Sequence, residues 1–254
     1  MKTPPHRIAL AAALAALLCA ACRTPPPAAP VSPAAPAAAR DAIPQEEMPD
    51  PLLYLPPPPA PDSPAKAWDL ARYEWGKTVR TADPARAAQA VQDALFTWEN
   101  LYAMFTPSYG RTISEAETPA LCAMLRYGLE SVRHACRGAK RKYMRVRPFA
   151  ELHEPSLTPD DERFLVNNGS YPSGHAANGW AAALLLAEVA PGSSEAILER
   201  GLAIGESRVI VGVHWQSDVD AARVVAAAAV ARLHADPEFL ARMAAAKAEA
   251  AARR

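Results

Sequence analysis

Three short segments of this chain place cationic, hydroxyl and imidazole side chains at fixed spacings in an alanine-rich background. In the first, six residues separate Lys140 from Arg147-Pro148. The second is the run Pro172-Ser173-Gly174-His175, and the third contains Ser207-Arg208, five residues, His214, three residues and Asp218. Each segment alone has an ordinary explanation: a solvated helix face, a helix start, and a structural hydrogen-bonded pair. Their occurrence together indicates one site.

The basic residues of these segments suit the stabilisation of a phosphoryl group. Lys140, Arg147 and Arg208 supply three positive charges, and phosphoryl transfer spreads negative charge over three equatorial oxygens. Guanidinium groups also make bidentate contacts with phosphate. Ser173 and the backbone N–H of Gly174 would add neutral donors at a helix N-terminus, where the helix dipole favours anions. These five residues are the predicted phosphate-binding set.

The two histidines can divide the remaining chemistry between them. Asp218 lies four positions after His214, within reach if the segment is helical, and would accept a hydrogen bond from Nδ1–H. The Nε2 lone pair would then face phosphorus, so His214 is the predicted nucleophile and Asp218 its orienting acid. His175 is the predicted general acid, which protonates the leaving alkoxide and later activates water. An ordinary imidazole pKa of ~6.5 would allow one neutral and one protonated histidine at mildly acidic pH.

The sequence shows no signal for a metal or another cofactor. The other histidines lack carboxylate or cysteine partners at ligand spacing; they are His6, His134, His153 and His234. The chain has 27 basic and 27 acidic residues, so nothing in its net charge favours nucleic acid or an anionic membrane. The positive charge that a phosphate site needs must therefore be local.

The elements that position these residues are predicted to be helices. Five pairs of a capping residue and a proline mark helix starts: Ser63-Pro64, Asp83-Pro84, Thr118-Pro119, Thr158-Pro159 and Asp236-Pro237. Apolar residues recur at helical spacing over 95–105 and 121–143, and alanine-rich runs at 176–190 and 222–235 favour helix. The only strand-like run is 209–213. We predict a single compact all-α domain over residues 64–254.

The residues before this domain are predicted to direct export. Residues 1–22 combine Lys2 and Arg7 with an apolar run, which is too short to span a bilayer permanently, and end in Cys19-Ala20-Ala21-Cys22. Two outcomes stay open: cleavage near Ala21, or lipidation of Cys22 as in a lipoprotein. Fifteen prolines fall in residues 23–64, which predicts an extended spacer over 23–63. Membrane attachment is expected only through a lipid at Cys22.

The three segments resemble the signature of the phosphatidic acid phosphatase type 2 (PAP2) superfamily, which also contains vanadium haloperoxidases. From about residue 52 onward the chain resembles the bacterial class A nonspecific acid phosphatases, in the runs at 55–59, 169–171, 196–201 and 212–223. The resemblance implies an all-helical periplasmic enzyme, often a homo-oligomer, that hydrolyses phosphomonoesters including nucleotides. It places the phosphate pocket at the residues named above, and none of them departs from the pattern.

Three alternative functions remain at this stage: a vanadate-dependent haloperoxidase, a membrane lipid phosphatase, and a non-enzymatic phosphate-binding lipoprotein. Whole-chain similarity to the acid phosphatases disfavours the haloperoxidase, and the lack of a spanning helix disfavours the membrane lipid phosphatase. The presence of His175 and of the His214–Asp218 pair disfavours a protein that only binds phosphate. The residues that shape the leaving-group side are predicted at 105–112 and Tyr171.

Cys122 and Cys136 are predicted to be unpaired thiols. An oxidising compartment would favour a disulfide. However, the helical pattern from Pro119 toward Tyr143 places the two residues on one helix, ~21 Å apart. A disulfide tolerates only about 4.4–6.8 Å between Cα atoms.

Overall fold

The computed structural model describes residues 40–252, and within that range the regular structure is entirely helical. The α-helices of this range are α1 (Pro64–Ala82), α2 (Pro84–Gln92), α3 (Trp98–Tyr109), α4 (Pro119–Tyr143), α5 (Pro148–Leu152), α6 (Pro159–Leu165), α7 (Gly174–Val189), α8 (Ser194–Val211), α9 (Gln216–Leu233) and α10 (Pro237–Ala251). Single 3-10 turns occur at Gln45–Glu47, Pro51–Leu53 and Pro191–Ser193. The all-α prediction is confirmed.

The five predicted helix starts all begin helices, although they are capped in two ways. The side chains of Ser63, Asp83 and Asp236 each accept a hydrogen bond from a backbone N–H three residues on. This satisfies one of the donors that a helix N-terminus leaves free. Thr118 and Thr158 make no such bond, so their helices start on the proline geometry alone.

The strand-like run at 209–213 is helical over most of its length. Val209 and Val211 lie in the last turn of α8 and are fully buried. The helix ends at Gly212, whose φ of 88° lies in the left-handed region that favours glycine. The β-branched side chains therefore serve burial rather than a strand, because core packing overrides local propensity.

Helix α7 lies at the centre of the helical packing, against α4, α8 and α9. Its small side chains allow close approach of its neighbours. At Gly179, an added Cβ would stand 2.7 Å from Cγ2 of Ile204 on α8. Because a short turn joins α7 and α8, they run antiparallel, and the start of α7 lies near the end of α8. This arrangement brings two of the predicted segments together.

Part of the predicted spacer packs on the helices. Ile43 is fully buried, and Met48 and Leu55 are also core residues. The backbone N–H of Ile43 donates to Ser131 Oγ (2.9 Å), and its carbonyl accepts a hydrogen bond from the His134 ring (2.7 Å). The packed unit thus includes residues well before 64. Ile43 and Met48 show no periodicity among the prolines, so local patterning does not predict their burial.

The predicted export signal at 1–22, with Cys22, and the spacer residues up to 39 lie outside the described residues. Among the helices of residues 40–252, none combines the length and the apolar character needed to cross a membrane.

The prediction for the cysteines is confirmed. Cys122 and Cys136 both lie on α4, both are buried, and neither is in a disulfide. Burial raises the pKa of the Cys136 thiol to about 11. Both thiols therefore act as small packing residues.

Candidate active site

The predicted site residues lie where five helix ends meet. Lys140 and Arg208 occupy the last turns of α4 and α8, and Asp218 lies in the first turn of α9. Ser173 caps the N-terminus of α7, and its backbone N–H donates to the Asp218 carbonyl (3.0 Å). Arg147 stands immediately before α5. The three sequence segments therefore form one cluster.

The ring of His214 is held at both nitrogens. Nδ1 lies 3.2 Å from Asp218 Oδ2, and Nε2 lies 3.0 Å from Arg147 Nη1. A guanidinium only donates, so Nε2 carries the lone pair and Nδ1 carries the proton. His214 precedes α9, so the contact does not use the helical i, i+4 geometry that the sequence suggested. Instead, the Asp218 carboxylate turns back to cap the helix start and accepts the Trp215 backbone N–H (2.9 Å).

The second oxygen of Asp218 belongs to an ionic network that the sequence motifs did not reveal. Arg145 donates to Asp218 Oδ1 (2.6 Å) and to Asp69 Oδ2 (2.6 Å). Asp69, on α1, also accepts the backbone N–H of Ser217 (2.8 Å), and both carboxylates are fully buried. The available signal was Asp69 itself, an acid on the buried face of an amphipathic helix.

The three predicted phosphate-binding cations have no carboxylate within salt-bridge distance in the described part of the chain. Lys140 Nζ donates to the Gly169 carbonyl (2.8 Å). Arg147 donates to the carbonyls of Leu165, Asn168 and Val213. Arg208 is 1% exposed, and its Nε and Nη1 are buried without a hydrogen-bond partner among residues 40–252. Buried charge without a counter-charge is costly, which makes this cluster a strong site for an anion.

The pKa values of the site reflect burial first and mutual repulsion second. Burial lowers the pKa of Lys140 to about 8, and Arg147 contributes in the same direction. Burial lowers the pKa of Arg147 and of Arg208 to about 10. It also lowers the pKa of His175 and of His214 well below the ordinary value, helped by the neighbouring arginines. The ordinary imidazole pKa expected from the sequence is therefore wrong for both histidines.

His175 is positioned by the loop between α2 and α3. Its Nε2 donates to the Ala94 carbonyl (3.1 Å), and its ring meets Phe96 edge to face at 4.8 Å. Asp93 anchors this loop to α8, because it forms an ion pair with both terminal nitrogens of Arg200 and accepts from Ser207 Oγ (2.6 Å). Neither Asp93 nor Arg200 is among the predicted site residues.

Ser173 and Gly174 lie at the start of α7, as predicted. Ser173 Oγ accepts the backbone N–H of Ala176 (3.3 Å), and the residue is fully buried. The oxygen acts as the helix cap, so the hydroxyl proton remains to donate. A Cβ on Gly174 would lie 3.8 Å from Cε of Lys140, which shows how close the backbone comes to this cation.

A cavity of about 400 Å³ opens beside the cluster. Its lining residues are Phe96, Arg133, Cys136, Arg137, Lys140, Arg141, Asn168, Gly174, His175 and Asn178. The leaving-group side predicted at 105–112 and Tyr171 is not part of this lining. Residues 105–109 belong to α3, and the Tyr171 hydroxyl donates to the Pro56 carbonyl (2.8 Å).

Comparison with known proteins shows which family this chain resembles along its length. The model of the PAP2 superfamily matches residues 119–240, a range that holds every predicted site residue. A non-specific acid phosphatase of Providencia stuartii is 46% identical over 75% of this chain and 76% of its own length. A non-specific acid phosphatase of Salmonella typhimurium is 42% identical over 76% of this chain and 77% of its own length. An acid phosphatase of Zymomonas mobilis is 37% identical over 75% of this chain and 71% of its own length.

The chain belongs to the PAP2 superfamily, which confirms the resemblance inferred from its motifs. Within that superfamily it is an enzyme of the acid phosphatase class.

Proposed function

We propose that the protein hydrolyses phosphomonoesters, including nucleotides, sugar phosphates and aryl phosphates, through a phosphohistidine at His214. The observation that carries this proposal is the set of three cations without a carboxylate partner, Lys140, Arg147 and Arg208, grouped with that imidazole. A phosphate ester dianion supplies the missing negative charge. Guanidinium donors also match its oxygens in pairs.

In the first step, the Nε2 lone pair of His214 attacks phosphorus, and the bond between phosphorus and the leaving oxygen breaks. Arg147 Nη1, which donates to Nε2 in this structure, transfers its hydrogen bond to a phosphoryl oxygen. Asp218 stabilises the positive charge that develops on the imidazole ring. The products are a phosphohistidine and the leaving group, whose oxygen takes a proton from His175.

In the second step, water attacks phosphorus and gives a proton to His175, which restores the general acid. The bond between Nε2 and phosphorus breaks, and inorganic phosphate leaves. The Ala94 carbonyl holds His175 through Nε2–H, so Nδ1 is the atom that can bind and release the transferred proton. A bound dianion raises the lowered pKa of His175 and makes this protonation favourable near neutral pH. An alcohol in place of water would give phosphate transfer as a side reaction.

The setting of the enzyme is proposed from the sequence alone. Residues 1–22 have the features of an export signal, so we propose a periplasmic enzyme that is either free after cleavage or tethered by a lipid at Cys22. Assembly into a homo-oligomer is part of the same proposal. The reaction steps above use no metal ion.

A phosphate-release assay on a nucleotide, a sugar phosphate and an aryl phosphate, in the presence of EDTA, tests this function. We expect release from all three substrates at acidic to near-neutral pH, and none from the His214→Ala variant. Activity that is lost with EDTA and restored by a divalent cation would contradict the metal-free steps. Halide oxidation with added vanadate, in place of phosphate release, would support the haloperoxidase alternative.

A further inference from the structure

A row of arginines on α4 continues from the phosphate cluster along the wall of the cavity. Arg133, Arg137 and Arg141 are spaced by four residues, so they share one face of the helix with Lys140. All four line the cavity that Gly174 and His175 also line. No aspartate or glutamate is among its lining residues.

The charges of this row are only partly compensated. Arg133 pairs with Glu130 (2.6 Å), and Arg141 donates to the neutral Gln45 side chain (3.0 Å). Arg137 has no hydrogen-bond or ionic partner in the described part of the chain. A basic run on a helix is usually a solvated face, and Lys142 shows that behaviour because it is exposed and does not line the cavity. Arg137 is exposed as well, but it lines the cavity together with Gly174 and His175.

Asn178 provides an independent sign that this cavity holds a polar ligand. The residue is 1% exposed and lines the cavity one helical turn beyond Gly174. Both its Oδ1 and its Nδ2 are buried without a hydrogen-bond partner among residues 40–252. Buried amides are normally satisfied, so these atoms indicate a polar ligand in the cavity, and a phosphate oxygen could accept from Nδ2.

We infer that the arginine row forms a second anion subsite, which binds a phosphate carried on the leaving group. The inference rests on the proposed function, and it assigns a preferred substrate class: small phosphomonoesters with a second phosphate a few bonds away. Three residues of helix, from Lys140 to Arg137, correspond to ~4.5 Å along the axis. With the length of an arginine side chain, this spacing suits two phosphates on a short diol.

The test compares propane-1,3-diol bisphosphate with 3-hydroxypropyl phosphate by kcat/KM, in the wild type and in two variants. Arg137→Gln removes the unpaired cation of the subsite. Lys142→Gln is the matched control, because it removes an exposed cation of the same helix that lies outside the cavity and has no partner among residues 40–252. The bisphosphate has two cleavable groups, which raises its kcat/KM in every protein alike. Comparing the bisphosphate-to-monophosphate ratio of kcat/KM between wild type and variants removes this statistical advantage.

We expect the bisphosphate to be preferred at low ionic strength. The preference should fall by about two- to fivefold in Arg137→Gln, as for a partly exposed ion pair, and remain in Lys142→Gln. It should also fall as salt rises. The subsite would be overturned if the ratio of kcat/KM for the bisphosphate to that for the monophosphate were equal in wild type and Arg137→Gln. It would also be overturned if this ratio fell equally in both variants. Failure to hydrolyse either substrate would instead contradict the proposed function.

Discussion

Nδ1 of His214 and Oδ2 of Asp218 lie 3.2 Å apart, although only Asp218 belongs to a helix. The same carboxylate oxygen caps the start of α9 through the Trp215 N–H. One side chain therefore fixes both the helix start and the orientation of the imidazole. Because Asp218 makes both contacts from the first turn of α9, His214 can lie four residues before it without the two residues sharing a helical turn.

Asp218→Asn should lower kcat on the order of 100- to 10,000-fold with little change in KM, because the imidazole loses its carboxylate acceptor. Steady-state kinetics on an aryl phosphate measure this effect. Asp220→Asn is the matched control, since Asp220 lies on the same helix and is largely exposed. Equal activity of the two variants would contradict the orienting role.

Arg145→Met should destabilise the fold by about 3–5 kcal/mol, because it leaves the buried carboxylates of Asp69 and Asp218 without their cation. Urea unfolding of the purified variant gives the free energy. Arg163→Met, at an exposed position on α6, is the control, and its free energy of unfolding should lie within about 0.5 kcal/mol of the wild-type value. A similar small change for Arg145→Met would show that the network contributes little.

Asp93→Asn should slow hydrolysis of alkyl phosphates more than that of p-nitrophenyl phosphate. The change weakens the anchor to Arg200 and Ser207 and loosens the loop whose Ala94 carbonyl holds His175. A poor leaving group depends on the general acid, whereas p-nitrophenolate does not. The measured quantity is the ratio of kcat on the two substrates. Glu99→Gln, exposed near the start of α3, is the control, and an unchanged ratio in Asp93→Asn would contradict the positioning role.

Phosphate binding should weaken as pH rises through about 8. Lysine is charged below its pKa, and burial lowers the pKa of Lys140 to about 8, so the neutral form dominates above that value. The competitive inhibition constant of inorganic phosphate, measured from pH 7 to 9.5, should increase. In Lys140→Arg the increase should be smaller, because guanidinium keeps its charge. Identical profiles for the two proteins would rule out Lys140 as the titrating group.

The sequence predicted the helices well, because their starts leave local signals, and it singled out candidate site residues that the structure brings together. Capping residues followed by proline marked the helix starts, and the three spaced segments contained Lys140, Arg147, Arg208 and both histidines. The supporting residues could not be found in this way. Asp69 and Asp93 come to the site from α1 and from the loop after α2, far from the motifs in sequence, and only the tertiary packing brings them close.

The pKa values of the histidines also required the structure. A sequence gives only the ordinary value, whereas burial and the neighbouring arginines lower the pKa of His175 and His214. This shift favours the neutral form of both imidazoles, so in the proposed mechanism the bound dianion promotes the protonation of His175. The burial of Ile43 within a proline-rich segment is a similar case, since it depends on the surface that the helices provide.

The central claim is that the phosphoryl group passes through Nε2 of His214. To test it directly, the His175→Ala variant is mixed with an isotopically labelled aryl phosphate and quenched rapidly without acid. Loss of the general base should slow hydrolysis of the intermediate, so that it accumulates. Peptide mapping should place an acid-labile, base-stable phosphate on the peptide that contains His214, and the His175→Ala/His214→Ala double variant should carry none. A label on another residue, or an equal label in the double variant, would contradict the account.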